Sequence, residues 1–169
     1  YYDSKTSDIA VGCYHLQLPQ TYATFEEASA AAAQYSDGFP AWIDGTYYVR
    51  VGSFLDSTSA QAAQASLGLT GATVAGTSGA GISVVKTGTN TVLFQFDSTS
   101  GLYLAVKPGR DDTVKAETYF RGYSYFGAFE YRRNGGDITV VNVLSMDDYL
   151  QGVIVQEMSP SWPLEALKA

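Results

Sequence analysis

The sequence predicts an α+β fold, and three patterns carry that prediction. Short stretches of alternating apolar and polar residues dominate the chain, as half-buried strands require. Two early segments switch to helical spacing behind side chains suited to N-caps. A third helical segment comes only after a long series of strands. Strands mixed with helices in this order form a first module of β-α-β-β-α-β type, a four-stranded sheet with both helices on one face. A mostly antiparallel β region ending in a short helix follows.

The first strand is expected over Asp8–Tyr14, where Ile9, Val11 and Cys13 share one face. This places Cys13 in the core as a small residue and His15 at a strand end on the surface. Thr24-Phe25-Glu26-Glu27 has capping-box spacing, and Phe25, Ala28, Ala32 and Tyr35 recur at helical intervals before Gly38. Phe39–Asp44 reads as a strand turned by Asp44-Gly45, with Tyr47–Phe54 as the return. Asp56 or Ser57 caps a second helix, whose Ala60, Ala63 and Leu67 stripe ends at Gly68. The glycine-rich stretch Gly71–Gly81 leads to a fourth strand, Ile82–Val85.

Beyond Lys86 the pattern is strand after strand: Thr91–Phe96, Leu102–Val106, the aromatic-rich Tyr119–Tyr131 and Asp137–Val143. Asn134-Gly135-Gly136 supplies the turn before the last of these. The expected division is therefore 1–86 for the first module and 87–169 for the second.

Composition removes several function classes. Ten basic residues against seventeen acidic ones give a net charge of −7, and the Lys and Arg residues form no cluster. Nucleic acid is thus not an expected partner, because phosphate binding begins with a basic patch. No apolar run reaches membrane-spanning length. One cysteine and one histidine exclude an internal disulfide and any multi-cysteine zinc site. No metal and no cofactor are expected. Thirteen tyrosines with so few basic residues suit an extracellular or wall-facing protein that stacks on sugar rings, although tyrosines also fill half-buried strand faces.

Tyr48-Val49-Arg50-Val51-Gly52-Ser53-Phe54 followed by an alanine-rich helix, in this element order, resembles a SPOR domain over about residues 8–86. The resemblance implies binding to glycan strands stripped of their peptides. Tyr14, Trp42, Tyr48 and Arg50, opposite the apolar alternation of their strands, are the candidate sugar-stacking platform.

The last thirty-odd residues carry the chemistry. Ser145 can cap a helix beginning at Met146, with Asp148 in the capping-box position, and Met146, Tyr149, Leu150 and Val153 lie on one face. Glu157 continues that stripe and falls in the final turn, at the negative end of the helix dipole. Burial and the dipole would both raise its pKa toward that of a general acid. Spacing alone leaves Glu157 open between this role and that of a partly exposed helix-end residue. Trp162 either fills the core or lines a sugar groove.

Val141-Asn142-Val143-Leu144, Asp148-Tyr149-Leu150-x-Gly152-Val153, Glu157-Met158, Trp162-Pro163 and Glu165-Ala166-Leu167-Lys168-Ala169 resemble the opening of the stage II sporulation protein D family. The resemblance implies a lytic transglycosylase that cuts peptidoglycan glycan strands, with Glu157 as the catalytic acid and base and a 1,6-anhydro product. It also implies an extracytoplasmic setting, in the cell wall or sporulation septum of a Gram-positive bacterium. The chain ends about two turns into the helix that Pro163 starts. It is therefore expected to be a poorly active piece of an active parent. The alternative is a non-catalytic glycan-binding protein that modifies a wall amidase.

Overall fold

The computed structural model describes residues 9–109, 117–134 and 136–157, the side chains of residues 134 and 154–157 excepted. The chain is α+β. Of the described residues, one compact unit holds 9–104 and 131–139, and the other holds 105–130 and 140–157.

The first unit starts with β1 (Tyr14–Tyr22), α1 (Phe25–Ala32), β2 (Gly38–Ile43), β3 (Thr46–Phe54), α2 (Ser57–Ser66) and β4 (Thr73–Gly76). The local signals account for both helices. Thr24 Oγ1 accepts from the Glu27 amide at 3.2 Å, and the Glu27 carboxylate accepts from the Ala23 amide at 3.1 Å. The Asp56 carboxylate accepts from the Ser59 amide at 2.7 Å and its hydroxyl at 2.9 Å. Each cap satisfies an amide that the first helical turn leaves without a partner. Thr24→Ala should therefore lower unfolding stability by about 1 kcal/mol, read as a shift in denaturant midpoint. Asp44 and Gly45 both adopt positive φ, 45° and 95°, the geometry of the two-residue hairpin turn between β2 and β3.

The strand order is β4-β1-β3-β2-β6-β5, with β5 (Ile82–Val85) and β6 (Val92–Asp97) extending the module. β6 lies parallel to β2, while β5 is its antiparallel neighbour. This alters three expectations. The fourth strand of the module is Thr73–Gly76, inside the glycine-rich stretch, not Ile82–Val85. The sheet has six strands instead of four. The boundary expected at residue 86 falls on the turn that joins β5 to β6. Pairing with β1 on one side and β2 on the other decides these points, and neither partner is local in sequence.

The first strand also sits later than expected. Leu16 and Leu18, not Ile9 and Cys13, supply the buried face, because Leu16 pairs with Val51 of β3. Cys13 is exposed. His15 lies within the strand and is fully buried instead of standing at its end. Pro19 is tolerated because β4 pairs only as far as Gln17, so the missing N–H faces no ladder partner on that side.

Alanines let both helices approach the sheet. Ala32 of α1 and Ala60 of α2 pack on Leu16, Leu18, Val49 and Val51. On the opposite face Phe39 and Ala41 of β2 pack with Val92, and here the sheet also buries His15, Arg50 and Gln95.

Beyond β7 (Leu104–Val106), the expected aromatic strand Tyr119–Tyr131 is divided among three strands. β8 (Glu117–Phe120) and β9 (Tyr123–Phe126) form a hairpin around Arg121 and Gly122, both at positive φ. β10 (Ala128–Asn134) follows after Gly127 and pairs with β7 and β11 (Asp137–Val143). The chain then enters α3 (Met146–Glu157).

Candidate functional site

The approach to Glu157 is built from the end of β11. Asn142 donates its side-chain amide to the carbonyls of Phe126 and Ala128, at 2.9 and 3.2 Å. It thereby straddles Gly127, whose φ is 85° and where a Cβ would lie 2.3 Å from the Val143 carbonyl. Only glycine fits so close an approach at that backbone angle. Asn142 and Gly127 together hold the end of β11 against the start of β10.

Two residues on, Ser145 caps α3 as its spacing predicts: the Asp148 amide donates to Ser145 Oγ at 3.2 Å. Asp147 and Asp148 occupy the first turn, where the positive end of the dipole favours them. The last turn carries no basic residue, and Glu157 closes the helix at the dipole's negative end. One expectation differs. Among the described residues nothing covers the start of the apolar stripe of α3, where Met146 is 69% and Tyr149 52% exposed. Trp162 lies outside the described residues.

The four platform candidates do not come together. Trp42 stacks on Phe96, ring centroids 4.9 Å apart and planes 4° from parallel, in the register position facing Tyr47. Tyr14 packs against the core beneath the helices. Tyr48 and Arg50 alternate onto the other face. Arg50 is 3% exposed and cannot meet a ligand from solution. Its guanidinium donates to Gln17 Oε1 at 3.0 and 2.7 Å and to Gln95 Oε1 at 2.5 Å.

That buried network runs on to His15. The Gln95 amide donates to His15 Nε2 at 3.1 Å and to Thr77 Oγ1 at 2.9 Å. His15 Nε2 is therefore an acceptor, and Nδ1 carries the proton it donates to the Gly52 carbonyl at 2.8 Å. Burial, opposed by the Gly52 bond and helped by the Arg50 charge, holds His15 below its ordinary value. The folded state thus resists a proton that the unfolded chain accepts. The stability contributed is complete above about pH 6.5, the unperturbed value, and is lost as the pH falls through the lowered folded value. Unfolding free energy measured between pH 7.5 and 5 should fall with acidification in the wild type. His15→Gln should flatten that slope.

Among the described residues no group of His, Cys, Asp and Glu could hold a metal ion, and no helix is long and apolar enough to cross a membrane.

Residues 134–169 match the model of the family described as Stage II sporulation protein. The match supports this family for the C-terminal segment, which contains β11, α3 and Glu157. An uncharacterized protein of Brachyspira hyodysenteriae is 46% identical over 48 residues, a stretch covering 28% of this chain and 13% of that protein. No solved structure matches the chain.

Proposed function

We propose that the chain belongs to a bacterial cell-wall protein that binds peptidoglycan glycan strands and cleaves them by lytic transglycosylation, with Glu157 as the acid and base. The observation that carries this reading is the position of Glu157. It closes a capped helix of twelve residues, inside the segment that matches a sporulation protein family.

The chemistry asks for one carboxyl. Glu157 in its protonated form gives its proton to the glycosidic oxygen as the bond to C1 breaks. As carboxylate it then takes the proton of the sugar's own C6 hydroxyl, whose oxygen closes onto C1. The 1,6-anhydro ring forms, the leaving sugar departs with a hydroxyl, and Glu157 regains its proton. Ordinary glycoside hydrolysis needs a second carboxylate to attack C1 or to activate water, and the substrate's C6 oxygen replaces it here. The dipole end of α3 favours the protonated form on which the cycle starts. Asp147 and Asp148, at the opposite end of the helix, are not partners in the step.

The first module serves as the glycan-binding part of the protein. The β-α-β-β-α-β order and the capped, alanine-rich α2 support the SPOR-like reading. Arg50 is set aside as a contact, and Tyr48 remains the half-buried aromatic candidate. A pull-down of the chain on sacculi with and without their stem peptides tests this part. Equal recovery on both would remove it.

A further inference from the structure

A cleft of about 640 Å³ opens in the first unit where the C-terminal ends of α1 and α2 meet the start of β2, the end of β3 and the residues 90–93. That volume is within the usual range for small-molecule sites. Ala32, Val51, Ala63 and Phe54 give it an apolar lining, and Ser36 and Ser66 add hydroxyls.

The charges around it are all of one sign. Each helix turns the negative end of its dipole toward the cleft, its last carbonyls bonding onward to the following turn, Ala31 and Ala32 to the Gln34 and Tyr35 amides and Ala63 and Ala65 to the Leu67 and Gly68 amides. Neither helix has a basic residue in its last turn. No Lys, Arg or His lines the cleft, whereas Asp37 does. Asp37 is exposed, and its carboxylate has no hydrogen-bond or ion-pair partner among the described residues.

The backbone fixes this carboxylate-bearing residue beside the end of α1. Asp37 takes φ 57°, a left-handed angle, and its carbonyl accepts from the Gly52 amide at 3.0 Å. At Gly38 a Cβ would lie 2.3 Å from the Ala32 carbonyl, so the chain there runs hard against the last turn of α1. An acidic residue at the negative end of a helix is electrostatically unfavourable. Two such helix ends, one unpaired carboxylate and an apolar wall are what a cation on an aliphatic stem would complement.

We propose that this cleft binds an alkylammonium group, its ammonium at the Asp37 carboxylate in the negative field of the two helix ends and its methylenes along the alanine-lined wall. A diamino acid side chain in a wall peptide and a free aliphatic diamine share this chemistry. The site goes beyond the proposed cleavage and depends on neither Glu157 nor glycan.

The test follows backbone amide NMR shifts of the full chain during titration with 1,5-diaminopentane, hexan-1-ol, Nα-acetyl-lysyl-D-alanine and the Nε-acetylated form of that peptide. Saturable shifts centred on Asp37, Gly38 and Leu67 are expected with the diamine and the free-amine peptide only. Tighter binding of the peptide would assign the wall-peptide source, and equal binding the free amine. Asp37→Asn keeps a residue that tolerates the left-handed angle, and it should weaken binding about tenfold or more through loss of a charged hydrogen bond. Leu67→Lys, at a position 54% exposed, supplies the missing cation at the end of α2 and should weaken binding as well. Equal shifts with hexan-1-ol, no saturable shift with either amine, or unchanged binding in Asp37→Asn would overturn the proposal.

Discussion

Glu157→Gln should cut the release of 1,6-anhydro ends from peptide-free glycan by about 100-fold or more, the scale of a lost general acid. Gln keeps the size of the side chain and can still donate a hydrogen bond, but it cannot pass a proton to the glycosidic oxygen. Mass analysis of the digest reads the product directly. Binding to the same glycan should be nearly unchanged, which separates loss of chemistry from loss of substrate. Wild-type product levels from the variant would end the assignment.

Arg50→Ala should cost about 3 kcal/mol of unfolding stability, because removing the guanidinium leaves a buried amide oxygen on Gln95 and a half-buried one on Gln17 without that donor. The loss should also propagate to His15, since Gln95 can turn once its oxygen is released. Denaturant unfolding of wild type and Arg50→Ala at pH 7.5 measures the first effect. The double variant with His15→Gln measures the coupling, expected as a combined cost smaller than the sum of the single ones. A change below about 0.5 kcal/mol, typical of a surface substitution, would contradict the burial of Arg50. The same result would return Arg50 to the set of possible ligand contacts.

What the sequence determined by itself is what neighbouring residues can decide. Thr24 with Glu27, Asp56 with Ser59, and Ser145 with Asp148 lie within a few residues of one another, so the starts of α1, α2 and α3 were legible. Asp44-Gly45 set the β2–β3 hairpin for the same reason. Glu157 was legible at the end of α3 because helical spacing and the surrounding residue pattern are both local.

Only the tertiary structure decided which of two alternating faces is covered. Alternation separates Leu16 from His15, and Val49 from Arg50, but does not say that both faces of the sheet are buried. That depended on Gln95, which lies 45 residues from Arg50 and 80 from His15 and reaches them because β6 pairs in parallel with β2. A polar side chain goes inside when distant partners satisfy it, and those partners leave no mark on its local period. The cleft beside Asp37 arose in the same way, from two helix ends brought together by a sheet whose strand order no short stretch of sequence contains.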